Sequence, residues 1–241
     1  MRSHYTLARL HHDADLSGTI EMGAETAHYL TRVLRLREGA RVRLFNARDG
    51  EVAATLTTIA KKSVTMEVGE RLRDPYTPPE LTVFFAPLRR HRTATVLEKA
   101  TELGATRIQP VITERTQFPK LDVAKMRAQV VEAAEQTERL DLPVIENAVG
   151  LFDALESWTK PVLMGDEAGD APTLADALDG LDMPLAILTG PEGGWSPEER
   201  DRLHAMEHVH PVSLGPRILR ADTAVVAILG VVQSLAGDWR T

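Results

Sequence analysis

The sequence predicts an α/β protein in two parts, a small β domain over residues 1–73 and a larger α/β domain over residues 81–241, joined by a linker at 74–80. Three observations predict it. Polar and apolar residues alternate through much of the first 70 positions, which is the two-residue period of half-buried strands. Arg73-Asp74-Pro75-Tyr76-Thr77-Pro78-Pro79-Glu80 carries three prolines in five residues, which fix φ and remove amide donors, so the stretch sustains neither a helix nor a central strand. Beyond it, apolar β-type runs alternate with helical patterns, as in a mainly parallel sheet covered on both faces.

In the first part, a short helix puts Ala27, Leu30, Val33 and Leu34 on one face and should stop at Gly39, leaving Arg32, Arg35 and Arg37 on its other faces. Arg41-Val42-Arg43-Leu44-Phe45 alternates, Asp49-Gly50 signals a tight turn, and Val52, Ala54 and Leu56 resume the alternation. Val64-Thr65-Met66-Glu67-Val68 repeats it, so a small β-barrel or curled sheet is expected. In the second part, strands are expected at 81–86, 108–112, 162–164, 185–188 and 209–214. Helices are expected around Val96, Leu97, Ala100 and Leu103, closing at Gly104, and over 123–140 and 221–236. The last helix has almost no polar face along Ala224-Val225-Val226-Ala227-Ile228-Leu229-Gly230-Val231-Val232 and needs burial on more than one side. A central place in its own domain and a subunit interface both meet that need.

The 241 residues are 43% hydrophobic and 26% charged, the balance of an ordinary folded globule. No run approaches the roughly 20 apolar residues that span a bilayer. Met1-Arg2-Ser3-His4-Tyr5 lacks the apolar core of a secretion signal, so the cytoplasm is the expected compartment, with no membrane partner. The absence of cysteine excludes disulfides, thiolate nucleophiles and cysteine-ligated metals. His208-Val209-His210 and His11-His12 have no third partner in sequence, and no metal is expected. The net charge of -7 argues against a polyanionic partner until its distribution is read. Residues 1–73 hold 12 Lys and Arg against 9 Asp and Glu, so the basic surplus sits at one end and the remainder is acidic. Scatter in a short segment gives the same asymmetry.

The strongest local signal is Leu185-Ala186-Ile187-Leu188-Thr189-Gly190-Pro191-Glu192-Gly193-Gly194-Trp195-Ser196-Pro197-Glu198-Glu199. An apolar strand runs into a glycine-rich loop and then into a helix marked by Ser196 as N-cap, Pro197 at the first helical position and Glu199 completing a capping box. The loop therefore lies at the carboxyl end of a buried strand, where open α/β sheets bind ligands. A glycine-rich turn without a ligand has the same local pattern. The loop has no lysine and matches neither phosphate-binding fingerprint, which disfavours nucleoside triphosphates and dinucleotides. A ligand without phosphate, such as S-adenosylmethionine, suits it, and Glu192 could attract the positive sulfonium. The second constellation, Val212-Ser213-Leu214-Gly215-Pro216-Arg217-Ile218-Leu219-Arg220-Ala221-Asp222-Thr223-Ala224, again carries a strand through a Gly-Pro turn into a helix. Asp222 there could simply complement the helix dipole.

These segments resemble the SPOUT methyltransferases, and specifically the RsmE family of 16S ribosomal RNA uracil-N3 methyltransferases. The resemblance runs nearly the full length. It includes His28-Tyr29-Leu30-Thr31-Arg32-Val33-Leu34-Arg35, Lys99-Ala100-Thr101-Glu102-Leu103-Gly104 with Pro110 and Glu114-Arg115, and Glu135-Gln136 with Arg139 and Pro143. Gly190-Pro191-Glu192-Gly193-Gly194 and Leu214-Gly215-Pro216-Arg217-Ile218-Leu219-Arg220 complete an ordered set more specific than any member. The resemblance implies a PUA-like β-barrel for RNA, a C-terminal domain with a deep trefoil knot, and a homodimer through that domain. It implies an S-adenosylmethionine site at Met164, Gly165, Leu188, Thr189, Gly190, Pro191, Glu192, Gly193, Gly194, Leu214, Gly215, Pro216, Ile218 and Leu219. Asp222 stands where the family usually has glutamate, and Arg89-Arg90 where a lysine-glycine pair is common, which weakens a catalytic role for Asp222 and keeps the basic character of the pair.

Uracil N3 methylation requires loss of the imide proton and in-line attack on the methyl group. Arg217 and Arg220 are candidates to meet the uracil carbonyls or RNA backbone, and Asp222 and Glu192 are the nearby candidate bases, although ion pairing at a helix start has the same appearance. Arg2, Arg9, Arg32, Arg35, Arg37, Arg89, Arg90 and Arg92 are candidate contacts to 16S ribosomal RNA in the small subunit. A flipped base could stack on Tyr5, Phe45 or Trp195, whose alternative is core packing. Substitution of Gly193 by arginine is expected to abolish donor binding. A non-catalytic RNA-binding protein that keeps the fold, and an unrelated α/β enzyme using a nucleotide, are the competing readings.

Overall fold

The computed structural model describes residues 6–167 and 171–240, so Arg2 and Tyr5 lie outside the described residues. The chain divides into two compact units, one of residues up to 77 together with 134–142, the other of 78–133 and 143–241.

In the first unit, β1 (Arg9–His11), β2 (Thr19–Met22), β3 (Arg41–Asn46), β4 (Gly50–Ile59) and β5 (Val64–Arg73) form one sheet in the order β1-β3-β4-β5-β2. All neighbours are antiparallel except β1 and β3. Register shifts along β4 and β5 curl the sheet. Its core is built from Leu10, Ile20, Leu30, Val42, Leu44, Val52, Ala54, Leu56, Val64 and Met66, the inward set of the alternation. Gly50 takes a φ of +81° at the hairpin, and a Cβ there would lie 2.2 Å from the Arg73 carbonyl oxygen, so the position demands glycine.

Two expectations fail here for physical reasons. The predicted helix is α1 (Ala24–His28) continued by a π turn over Tyr29–Val33. The wider turn rotates the following residues off the α-helical period. Ala27 and Leu30 stay buried, while Val33 is 59% and Leu34 37% exposed. The chain then reverses at Arg35, with φ +57°, before Gly39. Second, the outward face of β3 is covered by the segment 134–142, which the periodicity had assigned to the larger domain. Phe45 therefore packs with Ala134 and Leu140 and is fully buried, which removes it as a base-stacking surface.

The same cover buries arginines. Arg9, expected at the RNA surface, is 5% exposed, with its guanidinium 3.5 Å from the centre of the Phe45 ring. Its Nε donates to Glu51 at 2.5 Å, and its Nη atoms donate to the carbonyls of Ala134 and Arg139. Glu51 also accepts from Arg73 Nε at 2.9 Å and lies 3.5 Å from Arg43, whose two Nη atoms donate to Glu138 at 2.7 Å. A buried charge whose counter-charge is removed costs about 3–5 kcal/mol. Glu51→Gln is thus expected to lower stability by about 3 kcal/mol, read as a shift of the urea midpoint of the intact chain. An unchanged midpoint would show that the arginines find other partners.

In the second unit the strands are β6 (Leu81–Phe85), β7 (Arg107–Ile112), β8 (Val144–Ile145), β9 (Val149–Gly150), β10 (Val162–Gly165), β11 (Leu185–Thr189) and β12 (Val209–Val212). The sheet runs β12-β10-β11-β6-β7-β8, with β9 also on β7, and every pair is parallel. The helices are α2 (Arg90–Glu102), α3 (Val123–Gln136), α4 (Leu151–Glu156), α5 (Leu174–Leu178), α6 (Pro197–His204) and α7 (Ala221–Leu235). The strands β6, β10 and β11 are buried along nearly all of their length, which explains their continuous apolar sequence. The helix expected over 123–140 stops at Gln136, and Glu138 takes a φ of +62° just beyond it. Because the strands are parallel, the carboxyl ends of β6, β10, β11 and β12 open onto the same edge of the sheet.

Candidate active site

That edge carries a cavity of about 700 Å3. Its walls are Gly165, Asp166 and Glu167 at the end of β10, Thr189–Glu192 with Gly194 and Trp195 at the end of β11, and the turn 213–221 after β12. Arg89, His91 and Arg92 at the start of α2, together with Gln117 and Ala224, complete them. The two glycine turns singled out in the sequence, whose glycines lie 21 to 25 positions apart along the chain, thus meet around a single space.

Trp195 organises the glycine-rich turn. It is 8% exposed and belongs to the core cluster that includes Phe84, Met164, Leu188 and Leu203. Its Nε1–H donates to the Gly165 carbonyl at 3.1 Å, tying the loop after β11 to the end of β10. Gly190 lies against the indole: a Cβ would sit 3.2–3.4 Å from the benzo edge of the ring. Gly194 closes the turn with φ +66°, its N–H donating to the Pro191 carbonyl at 3.0 Å. The capping box forms as the sequence predicts, with Ser196 accepting from Glu199 N–H at 3.2 Å and Glu199 accepting from Ser196 N–H at 3.1 Å. The other Glu199 oxygen accepts from Glu114 N–H at 2.7 Å, so α6 is also fastened to the loop after β7. Arg115 of that loop donates to the Gly193 carbonyl at 2.9 Å.

Not every expected residue reaches the cavity. Met164 and Leu188 are fully buried, their side chains inside the core one position before the lining residues Gly165 and Thr189. Gly193 is absent from the lining, and a Cβ there would meet Arg115 at 3.5 Å, so arginine at 193 would crowd Arg115 first. Trp195 is held in the core by its own hydrogen bond, which suits a supporting floor better than a stacking platform. Thr189, Gly190, Pro191, Glu192, Gly194, Leu214, Gly215, Pro216, Ile218 and Leu219 do line the cavity.

Of the four candidate catalytic side chains, Glu192, Arg217 and Arg220 line the cavity and are exposed. Asp222 lies in the first turn of α7, outside the lining, and accepts from Arg92 Nη1 at 2.8 and 3.0 Å. Arg89 and Arg90 are exposed at the start of α2, as are Arg32, Arg35 and Arg37 in the first unit. The cations of the cavity therefore gather on the side of α2 and the turn 213–221, while the glycine-rich turn carries none.

Sequence reasoning missed Asp166 and Glu167. The Asp166 side chain is 1% exposed and accepts from Arg200 Nη2 at 2.8 Å, with His204 Nε2 also 2.8 Å away. This cluster ties the end of β10 to α6. An acidic pair directly after an apolar strand was the available signal, since that is where such sheets bind ligands.

Comparison with known proteins agrees with this layout. An RNA methyltransferase domain family matches residues 75–233, and an RNA methyltransferase PUA domain family matches residues 23–69. Ribosomal RNA small subunit methyltransferase E of Rickettsia conorii is 34% identical over 212 residues, covering 86% of each chain. A methyltransferase of Legionella pneumophila, solved with SAM bound, superposes with a TM-score of 0.87 at 30% identity, covering 96% of this chain and 99% of that one. Ribosomal RNA small subunit methyltransferase E of Neisseria gonorrhoeae, solved with S-adenosyl methionine, superposes at 0.84 with 28% identity, covering 97% and 99%.

Proposed function

Because this chain belongs to the RNA methyltransferase family, with a PUA domain ahead of a SPOUT-type α/β domain, we propose that it methylates N3 of a uridine in 16S ribosomal RNA from S-adenosylmethionine. The observation that carries the proposal is the convergence of the turns 189–194 and 214–219 on one cavity of about 700 Å3, inside the range of small-molecule sites. The cation-free glycine side suits the donor and the arginine side suits RNA.

The residues present fit the donor: backbone at Gly190 and Gly194 offers close approach, and Glu192 offers a negative charge to a cation. When bound, S-adenosylmethionine supplies an electrophilic methyl group on a positively charged sulfur. Arg217 and Arg220, exposed on the turn before α7, hold the RNA backbone so that the flipped base faces the donor side. Glu192 is the exposed cavity carboxylate of the glycine-rich turn and takes up the N3 proton. Residues 1–73, with exposed Arg32, Arg35 and Arg37, carry the RNA-docking function, and residues 81–241 carry methyl transfer.

The trefoil knot and a homodimer through the C-terminal domain belong to the same proposal. Along and beyond α7, Val226, Leu235 and Trp239 are 37%, 45% and 57% exposed, apolar surface that a second copy would cover. No helix among the described residues is long and apolar enough to cross a membrane. The small ribosomal subunit in the cytoplasm is the proposed place of action.

Nucleosides from small-subunit RNA of a deletion strain are expected to lack N3-methyluridine that the parent strain contains, measured by mass spectrometry. Unchanged N3-methyluridine would defeat the assignment of the base and atom. Calorimetry with S-adenosylmethionine separately tests the cofactor.

A further inference from the structure

We propose that Arg92 is a catalytic residue that stabilises the negative charge developing on a uracil carbonyl, and that Asp222 is its positioning residue rather than the proton acceptor. The inference rests on the methyl-transfer reading above and assigns roles within it. The pair joins residues 130 positions apart, bringing α2 against the first turn of α7, with side chains only 16% and 17% exposed. A single nitrogen, Nη1, serves both Asp222 oxygens. Nε and Nη2 have no acceptor among the described residues, and Arg92 lines the cavity while Asp222 does not. The group presented to a substrate is thus the guanidinium, with the carboxylate behind it.

The neighbouring cations differ in kind. Arg89, Arg217 and Arg220 are exposed and have no carboxylate partner among the described residues. Such side chains can follow a phosphate backbone, but they must be ordered before they act on a reaction. Transition-state stabilisation favours a donor already fixed in place, because no reorganisation is then needed as charge develops. Arg92 is fixed in this sense by Asp222. In the step itself the N3–H bond breaks, its proton passing to the acceptor assigned above. The N3–methyl bond forms as the sulfur–methyl bond breaks and the sulfur keeps the electron pair. The charge left on the imide before methyl transfer is shared with its carbonyl oxygens, and a planar fork with free N–H groups is shaped to receive one of them.

A competing source for the same anion chemistry is an RNA phosphate, and steady-state kinetics separates the two. The substrate is small ribosomal subunits prepared from a strain lacking this chain, with labelled S-adenosylmethionine. Arg92→Gln is expected to lower kcat about a hundredfold, with KM for the subunits and donor affinity by calorimetry both within about threefold of the wild type. Asp222→Asn is expected to lower kcat about tenfold alone and to add nothing in the Arg92→Gln background, because it acts only through the guanidinium. Asp222→Glu should restore most of the loss. A change confined to KM, with a smaller dependence on salt, would overturn the proposal in favour of a phosphate contact. A full Asp222→Asn loss that persists in the Arg92→Gln background would overturn it in favour of a base. Where Arg92→Gln fails to fold, Arg92→Lys takes its place with an expected tenfold drop in kcat, and an unaltered kcat overturns the proposal. Wild-type protein that transfers no methyl group to these subunits would count against the functional reading instead.

Discussion

Gly190→Val is expected to weaken S-adenosylmethionine binding about a hundredfold while leaving the chain folded, as measured by calorimetry and thermal unfolding. The requirement at Gly190 is for space. No positive φ is involved, and a Cβ would come within 3.2–3.4 Å of three indole atoms of Trp195. Alanine forces the ring to give by a few tenths of an ångström. Valine adds two further methyl groups that the ring must clear, and the ring is not free to go: its N–H is spent on the Gly165 carbonyl and its face is packed in the core. Overpacking of this kind costs about 1–3 kcal/mol, and loss of the bond to Gly165 adds about 1 kcal/mol. The strain falls on the two loops that shape the cavity, and the middle of the summed range, about 3 kcal/mol, corresponds to about a hundredfold in affinity. Gly190→Ala should show a small part of the effect. Unchanged affinity in the valine variant would mean that the cavity wall is set elsewhere.

The glycine-rich turn was legible because its determinants are adjacent in sequence. Ser196, Pro197 and Glu199 specify the start of α6 by local hydrogen bonds, and the apolar run before Thr189 specifies a buried strand. What lay behind the turn was not legible. Trp195 looks like any aromatic until β10 is known to lie beside β11, because its partner is a backbone carbonyl 30 positions away. Asp222 read as a helix-dipole residue or a base since Arg92, 130 positions upstream, gives no local sign of approaching it. In the β unit, the alternation placed Val42 and Leu44 inward as observed, yet it could not reveal that 134–142 buries the opposite face of β3. Arg9 consequently read as an RNA contact and Arg43 only as a polar position of an alternating strand, although each is largely buried against Glu51 or Glu138. A charged residue on the polar side of a strand announces nothing about a cover supplied by distant chain.

The same indole gives the other large effect. Trp195→Ala removes a buried aromatic from a cluster containing Phe84, Met164, Leu188 and Leu203, and truncations of this kind cost about 3–5 kcal/mol. A loss near 4 kcal/mol in urea unfolding is expected, together with loss of measurable donor binding, because both the floor under Gly190 and the link to Gly165 disappear. Trp195→Phe separates these contributions. It keeps much of the packing but leaves the Gly165 carbonyl without its donor, a change worth about 1 kcal/mol in stability. It also removes Cζ2, one of the three indole atoms that face Gly190. Gly190→Val should therefore cost less affinity in the phenylalanine background than in the wild type, since part of the clash it creates is with Cζ2, which phenylalanine lacks. Strictly additive losses across that cycle would mean that Gly190 and Trp195 act on the donor by separate routes, and the account of the turn as resting on the indole would fail.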